Sequence, residues 1–283
     1  MERNRRSGRN KKKKEKKTKI KLESLKGNSK TKEKKSKKIV IKILFIIFLS
    51  VFLISSLYII KWFLDIKRVK DINKKSEQEI KNSIVKLKNT EKINFANLKS
   101  LNEDIKIVID FPVLNILQPV VQTNNNDFYI NHDLYKKTNL AGAIFADYKN
   151  RFDFFEKNII IYGNNMMDGN TMFSPLTKFF EMEFLKKLKD EDKIINIYNK
   201  NGKNRYEIFS IYKINDQNIN PKNLYPKSQN ELVKLIPKLK KRSMYNFDQK
   251  EIKTKQIITL ITSTKNSNER LILHAYVLTE DLK

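Results

Sequence analysis

The chain has 283 residues and a formal net charge of +28, with 59 Lys and Arg against 31 Asp and Glu. It contains no cysteine, which excludes a thiolate nucleophile, a dithiol redox pair and any cysteine-based metal site. Its residue spacing matches no zinc, EF-hand, P-loop or dinucleotide motif, so the sequence predicts neither a metal nor a cofactor.

Residues 1–38 form a basic tail with 19 Lys and Arg against four Glu. The tail is almost free of apolar residues and cannot bury enough surface to offset the entropy of ordering, so we predict disorder. Nucleic acid is the usual partner of such a tail, but the apolar segment that follows favours a membrane. We therefore expect no nucleic-acid partner, and expect the tail to contact anionic lipid, where each basic residue contributes about 1 kcal/mol.

Residues 39–63 are predicted to form a transmembrane anchor. Ile43–Ile60 is an uncharged apolar run of 18 residues, which as a helix spans about 27 Å, close to the ~30 Å hydrocarbon core. A cleaved signal peptide is the alternative, but the run is long for one and no small-residue cleavage site follows. The basic flank places the N-terminus in the cytoplasm and the remaining chain outside the cell.

Residues 64–98 have spaced apolar positions that predict a helical stalk, and residues 99–283 are predicted to form one extracellular domain. In that domain, short apolar runs broken by Asn, Asp, Gly and Pro predict strands at 105–109, 113–116, 120–123, 128–130, 143–147, 158–162, 193–198, 206–213, 257–262 and 270–278. Helices are predicted at 172–179, 183–188 and 229–240. Many strands with a few short helices indicate a mainly β fold, a barrel or a sandwich with peripheral helices.

Two segments resemble the active-site strands of class B sortases, the membrane-anchored cysteine transpeptidases of Gram-positive bacteria. The first is Asn158–Met166, where the family reads roughly YGHNM and carries its catalytic His. The second is Ile257–Ser263, where the family reads TLSTC and carries its nucleophilic Cys, with an Arg on the next strand. The matching positions in this chain are Asn164, Ser263 and Arg270.

The resemblance extends over the whole domain. It includes Phe111–Gln122, Asp127–Asp133, Ala141–Asp147 and Met166–Phe173, together with the helix predicted at 229–240, which fits a class B insertion. The fold that the resemblance implies is a sortase-type eight-stranded β-barrel with peripheral helices, preceded by one transmembrane helix.

The resemblance implies a reaction sequence for an intact sortase. The Cys thiolate attacks a Thr carbonyl of a sorting signal, and the His protonates the leaving amine. The Arg stabilises the oxyanion, and an amine of the cell wall resolves the acyl-enzyme. In this chain, Ser263 has a hydroxyl that needs an adjacent base to become a nucleophile. The amide of Asn164 cannot serve as that base. We therefore favour a structural hydroxyl at Ser263 and a protein that is not an enzyme, with a serine-dependent enzyme as the open alternative.

The two histidines do not replace the missing base. His132 is most simply part of a turn. His274 lies four residues after Arg270, about 13 Å along a strand at roughly 3.3 Å per residue, so we expect a structural imidazole. For Arg270, binding of a ligand and a salt bridge at the barrel edge both remain open.

These observations lead to three hypotheses. The first is a catalytically defective sortase-like protein of the cell surface that binds a sorting-signal-like peptide or peptidoglycan, or scaffolds surface-protein assembly. The second is a serine-dependent transpeptidase or hydrolase acting through Ser263. The third is a purely structural protein of the wall or membrane, in which the basic tail and stalk carry the function.

Overall fold

The computed structural model describes residues 3–87, 90–153, 156–218, 221–247, 251–266 and 268–278, and for residues 3–36, 86–87, 90, 218 and 221–222 it describes the backbone alone. The chain divides into two compact units, Met1–Phe63 and Leu64–Lys283. Helix α1 spans Arg3–Ser83.

The first unit contains the apolar part of α1. Within the described residues, one helix is long and apolar enough to cross a membrane, and its apolar window is fully exposed. A row of exposed large hydrophobic side chains runs from Ile43 to Ile60. The predicted boundaries of tail, anchor and extracellular domain, and the predicted disorder of the tail, stay predictions.

In the second unit, the end of α1 packs against the following domain. Val69 and Ile80 are buried, Ser76 donates a hydrogen bond to Gln118, and Arg68 pairs with Asp133 at 3.4 Å. Residues 64–83 are therefore part of the folded domain, because their apolar face is covered by it.

The helical segment predicted at 64–98 is wrong beyond Ser83. Ile84–Leu87 (β1) and Thr90–Ile93 (β2) form an antiparallel hairpin, with Ile84 opposite Ile93. The short helix α2 follows at Phe95–Leu101. β-branched residues such as Ile84 and Val85 favour strands, and a short apolar run does not by itself separate helix from strand.

Eight strands form a closed barrel with the order β10-β8-β7-β3-β4-β5-β6-β9. The strands are β3 (Ile105–Phe111), β4 (Ile116–Val121), β5 (Phe145–Ala146), β6 (Asn158–Tyr162), β7 (Ile194–Asn199), β8 (Gly202–Asn215), β9 (Ile257–Ser263) and β10 (Glu269–Val277). The pairs β4–β5 and β6–β9 are parallel and the other pairs are antiparallel. The predicted mainly β architecture with an eight-stranded barrel is confirmed.

Two predicted strands are short 3₁₀ helices. In Pro112–Leu114 the proline occupies the first turn, where its fixed φ suits a helix, and Asn115 ends the turn with a φ of 53°. In Phe128–Ile130, the side chain of Asn125 accepts hydrogen bonds from the backbone N–H groups of Asp127 and Phe128. Such a side-chain acceptor favours a turn over a strand.

The helices predicted after β6 and before β9 are observed outside the strands of the barrel. The 3₁₀ helix is Ser174–Phe180, α3 is Met182–Lys187 and α4 is Gln229–Arg242. Helix α4 begins after Ser228, whose hydroxyl accepts from the N–H of Glu231 at 3.2 Å.

Helix α4 covers the outer face of β9 and β10. Successive strand residues point to opposite faces: Ile258 and Leu260 pack inside the barrel, whereas Ile257 and Ile261 pack outside, in a cluster with buried residues of α4. The buried residues of α4 are Leu232, Ile236 and Leu239. Ser263 continues the outward-facing series of β9.

Candidate functional site

The three predicted site positions lie at one end of three adjacent strands. β9 and β10 are antiparallel, and Ser263 is directly opposite Arg270 in their register. β6 is parallel to β9, with Tyr162 beside Ile261. Asn164 follows Tyr162 by two residues, just as Ser263 follows Ile261, so the fold brings Asn164 to the same end as Ser263 and Arg270.

The turn after β6 fixes the position of Asn164. The N–H of Gly163 donates to the carbonyl of Ile261 at 3.1 Å. A Cβ on Gly163 would lie 2.6 Å from the ring of Phe173. Glycine therefore allows the ring of Phe173 to pack against the chain immediately before Asn164.

The side-chain amide of Asn164 holds two neighbouring segments together. Its Nδ2 donates to the carbonyl of Ile130 at 2.8 Å and to the carbonyl of Ala141 at 3.1 Å. The next residue, Asn165, donates from its own Nδ2 to the carbonyl of Ser263 at 3.0 Å. The two amides thus tie the end of β9 and two loops into one structure, and neither amide can take up a proton at neutral pH.

The hydroxyl of Ser263 has no acid–base partner among the described residues. Its residue is half-buried, and within the part of the chain that the structure describes, no hydrogen bond reaches its Oγ. A serine hydroxyl is a weak nucleophile unless a positioned base accepts its proton. Among the described residues, no neighbouring base is therefore hydrogen-bonded to the hydroxyl to activate it.

Arg270 forms a salt bridge at the edge of the barrel. Its Nη2 donates to Asp216 Oδ2 at 2.9 Å, and its side chain is 27% exposed while that of Asp216 is 47% exposed. One of the two roles expected for Arg270 is thus observed. The guanidinium remains partly accessible, so a carboxylate or carbonyl ligand can compete with Asp216 for it.

His274 is a buried structural imidazole, as predicted. Its Nδ1 lies 2.9 Å from Thr259 Oγ1 and its Nε2 lies 3.1 Å from the Tyr212 hydroxyl. Burial, followed by the positive charge of Arg242, lowers its pKa to about 3. Its register partner Thr259 precedes Ser263 by four positions, about 13 Å at roughly 3.3 Å per residue, so the imidazole does not reach Ser263.

His132 also has a structural role. Its Nδ1 lies 2.8 Å from the carbonyl of Phe128, which makes this nitrogen the donor, and its ring stacks on the ring of Phe128 with centroids 4.1 Å apart. Residue 132 pairs with Thr138 in an isolated bridge. The imidazole therefore stabilises this turn.

Sequence reasoning missed Asp216 and Asn165 as partners of the site. Asp216 directly follows β8, whose residue Ile214 pairs with Arg270, so the contact depends on a strand register that a single sequence does not reveal. Asn165 lies in the recognised segment but bonds through its side chain to a backbone atom of another strand. Among the described residues, no group of three or more His, Asp or Glu is placed to hold a metal ion.

Comparisons with known proteins identify chains of similar sequence and fold. No family model matches the chain. The chain is 30% identical over 190 residues to sortase B of Listeria monocytogenes, covering 65% of this chain and 74% of that protein. It is similar to the X-ray structure of Clostridium perfringens sortase B, with a TM-score of 0.59, 29% identity, and coverage of 65% of this chain and 100% of that one. It is also similar to the Staphylococcus aureus sortase B–substrate complex, with a TM-score of 0.66, 25% identity, and coverage of 78% and 100%.

Proposed function

Because the chain belongs to the sortase B family, we propose that it is a catalytically defective member which binds a peptide or a wall component at the end of β6, β9 and β10. The bound molecule resembles a sorting signal or a segment of peptidoglycan. Such a protein retains or presents its ligand, or scaffolds the assembly of surface proteins, without transferring the ligand.

The observation that carries this proposal is the state of the two reactive positions. The Asn164 amide is engaged with the carbonyls of Ile130 and Ala141, and the Ser263 hydroxyl has no hydrogen-bond partner among the described residues. General acid–base help contributes typically about 10²–10⁴-fold to a rate, and a serine also lacks the intrinsic nucleophilicity of a thiolate. Nucleophile and acid act as a unit, so the loss of either group alone already removes most of the acyl-transfer rate.

The proposed binding role needs polar groups that face a ligand. Arg270 supplies charge-assisted donors in a fixed fork that suits a carboxylate or a carbonyl, and its contact with Asp216 holds the fork at the edge of the barrel. The structure of the Staphylococcus aureus relative was determined as a substrate complex, which supports ligand binding by a protein with a similar fold.

The test of the missing chemistry uses the full-length protein in an uncharged detergent. A fluorogenic sorting-signal peptide is supplied with an amine acceptor, and wild type is compared with Ser263→Ala. We expect equal, background rates for both. Turnover by wild type that disappears in Ser263→Ala would overturn the proposal.

Ligand binding is tested separately by fluorescence polarisation of a labelled sorting-signal peptide and a labelled peptidoglycan fragment. We expect Arg270→Gln to weaken binding about tenfold, the effect of losing one charge-assisted contact. Arg151→Gln is the matched control, since Arg151 forms an exposed ion pair with Asp153 at 3.2 Å. If neither ligand binds wild type, the barrel is an inert platform, as the purely structural hypothesis requires.

A third experiment introduces the family's His and Cys and asks whether the rest of the site supports peptide transfer. The double variant Asn164→His with Ser263→Cys places an imidazole and a thiol at the family's positions. We expect it to gain peptide transfer above both single variants, because nucleophile and acid act as a unit. Absence of transfer would show that the groove or Arg270 is arranged differently from that of an active sortase.

Serine-dependent hydrolysis or transfer is the second candidate. It is favoured by the position of Ser263 directly opposite Arg270 in the strand register, because a guanidinium can stabilise negative charge on a reacting carbonyl. A fluorophosphonate probe that reacts with activated serines should label Ser263 under this candidate. Labelling that fails with wild type, while the same probe labels a known serine hydrolase in the mixture, excludes it.

We further propose that the exposed apolar helix of the first unit anchors the protein in a membrane, with the basic residues 1–38 in the cytoplasm against anionic lipid and the barrel outside. The uncharged run at residues 43–60 supports the anchor. Protease added to intact cells should digest the barrel and leave an epitope tag at the N-terminus intact. Digestion of the tag alone would reverse the orientation.

A further inference from the structure

A cavity of about 580 Å³ lies between helix α4, the 3₁₀ helix Pro221–Leu224 and the outer faces of β8 and β10. Its apolar lining includes Ile214, Leu235, Leu239 and Ile272. Asn164, Ser263 and Arg270 are not among its lining residues, but Ile214 is the register partner of Arg270, so the cavity adjoins the site of the proposed function without including its three positions. Its volume lies within the range of about 300–1,000 Å³ that is usual for small-molecule sites.

Three cations of helix α4 line one side of this cavity. Lys234, Lys238 and Arg242 are spaced by four residues and therefore share one face of the helix. In the described part of the chain, no acidic side chain lies within 4.0 Å of the ammonium group of Lys234 or Lys238. Cations in a last helical turn offset the helix dipole, which accounts for Arg242, but Lys234 lies two turns before the end.

The one carboxylate of the lining is already engaged. Glu231 accepts from the backbone N–H of Lys227 at 2.8 Å, while its own N–H bonds to Ser228. These two bonds form the N-terminal cap of α4. The cavity therefore keeps an excess of positive charge, and like charges at four-residue spacing destabilise a helix unless an anion offsets them.

The floor of the cavity is held by a chain of hydrogen bonds across four strands. Asn158 donates from Nδ2 to the carbonyl of Leu224 at 2.8 Å, and Thr259 donates its hydroxyl hydrogen to Asn158 Oδ1 at 2.9 Å. Since that hydrogen is committed, Nδ1 of His274 must be the donor to Thr259 at 2.9 Å. Nε2 of His274 then accepts from the Tyr212 hydroxyl at 3.1 Å.

This chain of donors connects two parts of the cavity lining. Leu224 belongs to the 3₁₀ helix on one side, and Tyr212 belongs to the floor on β8. The guanidinium of Arg242 lies over the ring of Tyr212, 5.9 Å from its centroid. Because every link is buried and directional, these hydrogen bonds hold Leu224 and Tyr212 in place before a ligand binds. Binding then costs little entropy for ordering this part of the lining.

We propose that this cavity binds a small phosphate-bearing molecule, with Lys234 and Lys238 contacting the phosphate and the apolar and tyrosine surfaces contacting the remainder. Lysine is a common phosphate ligand because it acts as a compact point charge. A phosphate monoester carries nearly two negative charges at neutral pH, which matches the two positive charges of Lys234 and Lys238 better than the single charge of a carboxylate does.

The test measures binding of glycerol 3-phosphate to the full-length protein by calorimetry in an uncharged detergent. Wild type is compared with Lys234→Gln/Lys238→Gln and with the control Lys186→Gln/Lys187→Gln, which removes the same charge from exposed positions of α3. Phosphate bound by the basic tail is common to all three proteins. We expect the cavity variant to bind about a hundredfold more weakly, about tenfold for each lost charged contact, and the control to bind as wild type.

A second measurement does not depend on the variants. Acetylation of Lys234 and Lys238 in wild type, followed by mass spectrometry, should slow in the presence of glycerol 3-phosphate, while acetylation of Lys186 should not change. Equal slowing by glycerate, a carboxylate of similar size, would overturn the assignment to phosphate. Equal binding by the cavity variant and the control, or acetylation that glycerol 3-phosphate does not slow, would overturn the site itself.

Discussion

The strand pair β9–β10 contains two pairs of facing polar residues, one buried and one at the barrel edge. At one position of the register, Thr259 faces His274, and both are fully buried. Four positions further along, Ser263 faces Arg270, and both are half-buried at the barrel edge. The first group is a complete hydrogen-bond network, whereas in the second the serine hydroxyl has no partner among the described residues.

The difference shows that the environment of a residue decides its chemistry. An imidazole acts as a general base only where a lone pair reaches a reacting proton and the pKa lies near the working pH. In His274 both nitrogens are engaged and burial lowers the pKa to about 3. The protein thus has a histidine on the strand next to Ser263, yet no base is hydrogen-bonded to the Ser263 hydroxyl in the part of the chain that the structure describes.

The largest expected effect comes from His274→Ala. The change leaves the Tyr212 hydroxyl and the Thr259 side chain without a partner and opens a cavity under α4, so we expect the free energy of unfolding to fall by about 3–5 kcal/mol. Denaturant unfolding in detergent, followed by near-UV circular dichroism of the barrel tyrosines, measures it.

His132→Ala is the matched control for this prediction. Its ring is half-buried and makes one hydrogen bond to the carbonyl of Phe128, so we expect a loss below about 1 kcal/mol. Similar losses in both variants would contradict the contrast between a buried network and a surface turn.

The second effect is the pH dependence of the loss in unfolding free energy caused by His274→Ala. The pKa of His274 is about 3 in the folded protein against 6.5 for a free imidazole, so between these values the unfolded chain holds a proton that the folded chain lacks. The stabilisation by neutral His274 is fully present above pH 6.5 and is lost as pH falls towards 3. We expect the penalty of His274→Ala to shrink by about 2 kcal/mol between pH 6.5 and pH 5, at about 1.4 kcal/mol per unit.

Glu156 has the opposite pH dependence to His274 and does not affect the comparison of wild type with His274→Ala. Burial raises its pKa to about 7, so the folded chain binds a proton that the unfolded chain lacks, and its contribution falls as pH rises from about 4.5 to 7. The term is common to wild type and His274→Ala and cancels in their difference. A mutational penalty that grows on acidification would contradict the neutral, buried state of His274.

The strands β9 and β10 and the site positions on them could be predicted from the sequence. Long apolar strands such as Ile257–Ser263 alternate between the barrel interior and the surface under α4, and their pattern is strong because both faces are buried. The positions Asn164, Ser263 and Arg270 were found from local motifs, and the structure brings them to one end of the barrel.

The features that escaped prediction depend on side-chain hydrogen bonds and strand pairings that the pattern of apolar residues does not show. The 3₁₀ helix Phe128–Ile130 reads as a strand from its residues, and the side chain of Asn125 makes it a turn. The hairpin at 84–93 reads as a continuation of the helical stalk, because spaced apolar residues in a short segment suit both structures. The partner of Arg270, Asp216, depends on the register of β8 against β10.

The third effect tests whether Asn164 has become structural. Asn164→Ala removes two hydrogen bonds to the carbonyls of Ile130 and Ala141, so we expect the free energy of unfolding to fall by about 1–2 kcal/mol, with no change in peptide transfer. Asn82→Ala, at an exposed amide that bonds only to Gln78 in the described structure, should change stability by less than about 0.5 kcal/mol. A transfer activity that disappears in Asn164→Ala would show that the amide takes part in chemistry.

The smallest effect concerns the ion pair between Arg270 and Asp216, at the end of β9 and β10 where Ser263 lies. Asp216→Asn removes the charge that faces Arg270 at 2.9 Å. Since the Asp216 side chain is 47% exposed, solvent screens the pair, and we expect a loss in unfolding free energy below about 1 kcal/mol that vanishes in 1 M salt. The same variant should bind an anionic peptide more tightly than wild type does, because the ligand no longer competes with the carboxylate for the guanidinium. Weaker binding would instead show that Asp216 positions Arg270 for the ligand, so one measurement distinguishes a competing carboxylate from a supporting one.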